Sequence, residues 1–86
     1  VGAQAMMDQI RDIVARHGGL TVDVASLDET VDLYEAGMTS FASVDLMLGL
    51  EEAFDVEFPD SMLTRKTFAT LRAIAEAVNK LSTQAA

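Results

Sequence analysis

Eighty-six residues leave room for one compact domain, and half of them are apolar with 23% charged, so the chain is globular and neither disordered nor a two-domain enzyme. The absence of cysteine excludes disulfides, thiolate metal sites and a nucleophilic thiol of the chain's own. The formal net charge is -8, and between Gly18 and Thr64 lie eleven of the fourteen carboxylates and no lysine or arginine, a surface that repels nucleic-acid phosphates and steers a basic protein partner inward.

In chain order, Val1 to Ala5 is expected to be a loose end, with the domain over 6–82 and a short tail over 83–86. From Met6 to about His17 the apolar positions Met6, Ile10, Ile13 and Val14 recur at helical spacing, and Gly18-Gly19 ends the run. Gly18 to Thr39 has no sustained period and reads as a long loop, with Leu20, Val24, Leu27, Leu33 and Tyr34 as anchors onto the core. Loops of this length in small domains are usually functional. Ser40 to Phe54 is a strong helix, with the hydroxyls of Thr39 and Ser40 as N-cap candidates, and Asp55 to Pro59 breaks it. A short helical turn follows near Asp60 to Arg65, and Leu71, Ile74, Val78 and Leu81 mark a last amphipathic helix capped by Thr70. The expected fold is all-α: three main helices, one short helix and a long loop between the first two.

No apolar run is long enough to span a membrane and no basic-then-apolar segment opens the chain, so a cytoplasmic protein with no membrane partner is expected. His17 sits where it complements the end of the first helix rather than serving as a catalytic base. The acidic stretch from Asp28 to Glu35 lacks the glycine and the carboxylate spacing of a calcium loop, and the five methionines read as core filling, so no metal site and no catalytic residue are expected.

The second helix carries more apolar surface than one core-facing stripe needs. Leu46, Met47, Leu50 and Phe54 share one side, which faces the core. Phe41, Val44 and Leu48 form a separate strip bordered by Asp45, Glu51 and Glu52. Either this strip is a docking surface with a polar rim, or the helix is central and buried on two sides.

The segment from Gly37 to Asp60, GMTSFASVDLMLGLEEAFDVEFPD, resembles the prosthetic-group region of acyl carrier proteins, in which a G-x-D-S-L segment opens the second helix. The same register places Asp32, Leu33 and Gly37 on that family's D-L-x-x-x-G approach, and coverage runs from Met6 to Leu81. The resemblance implies a four-helix bundle of acyl-carrier type and no enzymatic activity of the chain's own. It also implies a 4'-phosphopantetheine, transferred from coenzyme A, on Ser40, with an acyl or aminoacyl cargo held as a thioester. It implies partners as well: a phosphopantetheinyl transferase, a loading ligase and downstream transferases with basic patches, engaged by Thr39, Phe41, Val44, Asp45, Leu48, Glu51 and Glu52 of a monomer. A cargo pocket would be lined by Leu46, Met47 and Ile74. Thr39 stands where the family usually has aspartate, and Phe41 replaces the usual leucine, which implies a specialised carrier of the stand-alone aminoacyl kind or a divergent acyl carrier.

A serine at a helix N-terminus also makes sense for this task on physical grounds, because free backbone N–H groups and the positive dipole end favour a phosphodiester. The competing reading is an unmodified acidic interaction module in which Ser40 is only the helix cap.

Overall fold

The computed structural model describes residues 3–84, as three helices: α1 (Ala3–His17), α2 (Ser40–Phe54) and α3 (Leu71–Gln84). Short 3-10 turns occupy Val24–Ser26, Asp60–Met62 and Arg65–Phe68, and there is no strand among the described residues. None of these helices is long and apolar enough to cross a membrane.

α1 packs on both other helices, more extensively than α2 and α3 pack on each other. The helical periods meet in one core in which Ile10 and Val14, Leu46 and Leu50, and Leu71, Ile74 and Val78 are fully buried. Each such side chain contributes about 1.5–3 kcal/mol through removal of apolar surface from water. On α2, Leu46 and Leu50 are the buried pair, while Met47 and Phe54 pack half-buried against the core edge.

Long-range hydrogen bonds hold the connection between α1 and α2 on the core. The Arg11 guanidinium donates to the carbonyls of Val24 at 2.8 Å and Leu27 at 2.7 Å, bracketing the first 3-10 turn. Further along, Glu29 accepts from the Arg72 side chain at 2.9 Å and Leu33 N–H donates to the Ala69 carbonyl at 2.7 Å, which fastens the loop to the start of α3. Val24 and Leu33 are the buried anchors, and Leu20, Leu27 and Tyr34 pack beside them.

Two elements differ from expectation. Ala3 to Ala5, expected to be loose, are the first residues of α1; alanine and glutamine are strong helix formers that carry no apolar period, and Gln4 donates to Asp8 one turn on. At the other end α3 runs to Gln84, past the expected boundary, while Val1, Gly2, Ala85 and Ala86 lie outside the described residues. The expected short helix is replaced by two 3-10 turns, because Thr64 is extended at φ -124 and ψ 158 and caps the second turn through Thr67 N–H. The remaining caps follow the sequence: Thr70 Oγ1 accepts from Ala73 N–H at 3.0 Å, and Asp55 closes α2 in the left-handed conformation.

Candidate functional site

The approach to Ser40 is a compact turn. Asp32 accepts from Tyr34 N–H at 2.9 Å and from Glu35 N–H at 3.3 Å, and Met38 N–H donates back to the Leu33 carbonyl at 3.0 Å. Leu33 and Met38 are buried, so both ends of the turn are nailed to the core. Between them Gly37 has φ +121, a backbone state that L side chains rarely adopt, and a Cβ there would meet nothing within 4 Å. Glycine is therefore needed for conformation and not for space. The turn delivers Thr39 and Ser40 to the surface at a fixed place.

There the two neighbouring hydroxyls divide the work. Thr39 has extended dihedrals and its Oγ1 accepts from Ala42 N–H at 3.0 Å, so Thr39 is the N-cap of α2. Ser40 is the first helical residue and is exposed, and its hydroxyl makes no hydrogen bond among the described residues. The reading in which Ser40 serves only as the cap is thus overturned: the cap is the residue before it. The first turn of α2 holds no acid, although the surrounding stretch is rich in them.

Beyond Ser40 the outer strip of α2 is open, which removes the alternative of a helix buried on two sides. Phe41 is 91% exposed, Val44 54% and Leu48 53%. The acids beside the strip are not equivalent. Asp45 Oδ2 lies 2.8 Å from Nδ1 of His17, the last residue of α1. That contact requires close approach of the two helices, since a Cβ on Gly49 would sit 2.9 Å from the His17 ring. Glu51 is half-buried and accepts from Phe58 N–H at 2.8 Å, which closes the segment after α2. Of the three rim acids expected to face a partner, Glu52 and Asp45 are both exposed, Glu52 with a side chain that makes no hydrogen bond or ion pair among the described residues and Asp45 with its carboxylate on His17, whereas Glu51 is half-buried and engaged within the fold. Other acids are also spent locally: Asp28 accepts from the side chain and the backbone of Thr30, which together with the more distant charges of Arg72 and Arg11 hold its carboxyl below the ordinary aspartate value.

Ser40 opens onto a groove of about 440 Å³ between α2 and the 3-10 turns that precede α3. Its walls are Val44 and Met47 on one side, Leu63, Arg65 and Phe68 on the other, and Tyr34 at one end. Of the residues expected to line a cargo pocket, Met47 lines this groove, while Leu46 and Ile74 are fully buried in the core and are not among its lining residues. Tyr34 was expected only as a core anchor, and Leu63, Arg65 and Phe68 were not singled out by the sequence. A signal existed for Arg65 alone, as the first base after the long acid-only stretch.

These residues suit a phosphate-linked arm. Ser40 offers an exposed, unengaged oxygen, the first N–H groups of a helix lack intrahelical acceptors, and no carboxylate lines the adjoining groove.

Comparison with known proteins points the same way. The phosphopantetheine attachment site family profile matches residues 8–78. The chain is 55% identical over 69 residues to the aminoacyl carrier protein of Agrobacterium fabrum, covering 80% of this chain and 83% of that one. It is 39% identical over 56 residues to the acyl carrier protein of Syntrophobacter fumaroxidans, covering 65% of this chain and 68% of that one. Its fold matches a chain in the crystal structure of an engineered Bradyrhizobium japonicum glycine:[carrier protein] ligase complexed with carrier protein from Agrobacterium tumefaciens and ATP. That match has a TM-score of 0.84 at 52% identity and covers 87% of this chain and 97% of the other.

Proposed function

The chain belongs to the phosphopantetheine-attachment family of carrier proteins, and from that premise we propose that it carries an aminoacyl group on an arm attached to Ser40 and presents it to partner enzymes. Membership implies a covalently attached 4'-phosphopantetheine. When bound, that group supplies a terminal thiol, which this cysteine-free chain lacks and on which cargo is held as a thioester. The observation that carries the reading is the exposed, unengaged Ser40 hydroxyl at the first turn of α2, beside a threonine that already caps the helix.

The remaining residues position and present. Gly37, Met38 and Thr39 fix Ser40 in space, and the first-turn N–H groups offset phosphodiester charge. The apolar strip of Phe41, Val44 and Leu48, with Glu52 at its rim, is the face a partner's basic, partly apolar patch would meet. Partners of this kind are a phosphopantetheinyl transferase, a loading ligase and downstream transferases. An aminoacyl cargo is supported by the aminoacyl carrier relative and by the ligase bound to the carrier in the structural match.

Intact mass spectrometry tests this directly. After incubation with coenzyme A and a broad-specificity phosphopantetheinyl transferase, the wild-type mass rises by one arm and that of Ser40→Ala does not. Adding a glycine:carrier-protein ligase, ATP and glycine then adds one aminoacyl increment that hydroxylamine removes. An unchanged wild-type mass defeats the proposal, and an arm that accepts fatty acyl groups but no amino acid overturns the cargo class.

A further inference from the structure

Arg65 is the one arginine of the four whose guanidinium has no oxygen partner among the described residues. Arg11 is spent on two carbonyls, Arg16 on Asp12 and Arg72 on Glu29. Arg65 instead lies over the Tyr34 ring, with its guanidinium carbon 4.1 Å from the ring centroid. This cation–π contact holds the guanidinium over the ring while leaving its N–H donors unspent. In a chain with more than two acids per base, a guanidinium left without a carboxylate is unusual, and its position is specific: Arg65, Tyr34 and Ser40 line the same groove, which no acid enters.

We propose that Arg65, held by Tyr34, is the residue that pairs with the phosphodiester on Ser40. This rests on the carrier reading above. Arg65 and Ser40 line the same groove, and no carboxylate among its lining residues competes for the guanidinium. A planar fork suits phosphate oxygens, two of which can be engaged at once. The pairing orients the first bonds of the arm along the groove towards Met47 and Leu63.

The test compares apo and holo forms of the wild type, Arg65→Lys, Arg65→Gln and Tyr34→Leu, with loading verified by intact mass. In wild-type holo protein, exchange of the Arg65 Nε–H with water slows by about two- to fivefold relative to apo, the range an exposed ion pair supports, and the ³¹P shift of the phosphodiester depends on salt. Arg65→Gln abolishes the salt dependence of that shift, Arg65→Lys keeps part of it, and Tyr34→Leu loses most of the exchange protection. Equal ³¹P shifts in wild type and Arg65→Gln, or equal Nε–H exchange in apo and holo wild type, overturn the proposal. So does a defect of Arg65→Gln confined to transfer by the ligase, which would assign Arg65 to the partner interface. If the wild type never gains the arm, it is the carrier reading that fails.

Discussion

Exchanging Thr39 for alanine deletes the hydroxyl that accepts from Ala42 N–H at 3.0 Å, while exchanging Ser40 deletes one that has no partner among the described residues. Loss of a threonine N-cap costs about 1 kcal/mol, with a range of about 0.5–2. In a domain of this size 1 kcal/mol corresponds to a fall in Tm of roughly 4–8 °C. Ser40→Ala removes only exposed, unpaired surface and stays within about 0.5 kcal/mol of wild type. Thr39→Asp keeps a cap acceptor and adds a negative charge at the positive helix end, so it is expected to be as stable as wild type or more stable by about 0.3–1 kcal/mol. The assay is thermal and urea unfolding of the apo proteins, followed by far-ultraviolet circular dichroism, with arm loading by intact mass on the same samples. Thr39→Ala melts lower but still gains the arm, and Ser40→Ala melts like wild type and does not. A Ser40→Ala protein destabilised as much as Thr39→Ala would show that the cap had been assigned to the wrong hydroxyl.

Gly37→Ala forces a side chain onto a backbone with φ +121 and is expected to cost about 1–3 kcal/mol although nothing crowds the new methyl, read as a lower urea midpoint; an unchanged midpoint would remove the backbone argument. Phe41→Ala changes stability by less than about 0.5 kcal/mol, because the ring is 91% exposed, yet slows loading by the ligase about fivefold or more in steady-state assays; unaltered loading would dismiss the strip as a docking face. Leu46→Ala, by contrast, opens a cavity in the core and costs about 2–5 kcal/mol in equilibrium unfolding. Asp28, held below its ordinary value of 3.8 chiefly by Thr30, contributes stability that is present above that value and is lost as pH falls through the lower folded-state value. In acid titrations of stability, Asp28→Ala is therefore expected to be less sensitive to pH than wild type in that window, and identical curves would contradict the assignment.

Sequence patterns were legible wherever the physics is local. The stripe of Ile10, Ile13 and Val14, the Thr70 cap and the break of α2 at Asp55 each depend on residues within one or two turns. Ser40 and the excess apolar surface on α2 were legible for the same reason, since both follow from the order of residues along one helix. The start of α1 was missed because Ala3 to Ala5 extend the helix by propensity without a hydrophobic period. The short helical turn expected near Asp60 to Arg65 is present as two 3-10 turns and not one helix, because Thr64 turns the chain to extended backbone between them.

What the chain order could not carry was how side chains far apart in sequence are spent. Asp45 meets His17 across 28 positions, Arg65 meets Tyr34 across the whole of α2, and Glu51 is drawn to the backbone of Phe58 once the chain folds back after α2. Helical periodicity thus determined the architecture, and the serine motif singled out the residue proposed as the tether, because burial and capping repeat over a few residues. Only the packed structure decided which of two adjacent hydroxyls caps, which acids remain outward and which arginine is left unspent, because those outcomes depend on distances between elements that no local pattern encodes.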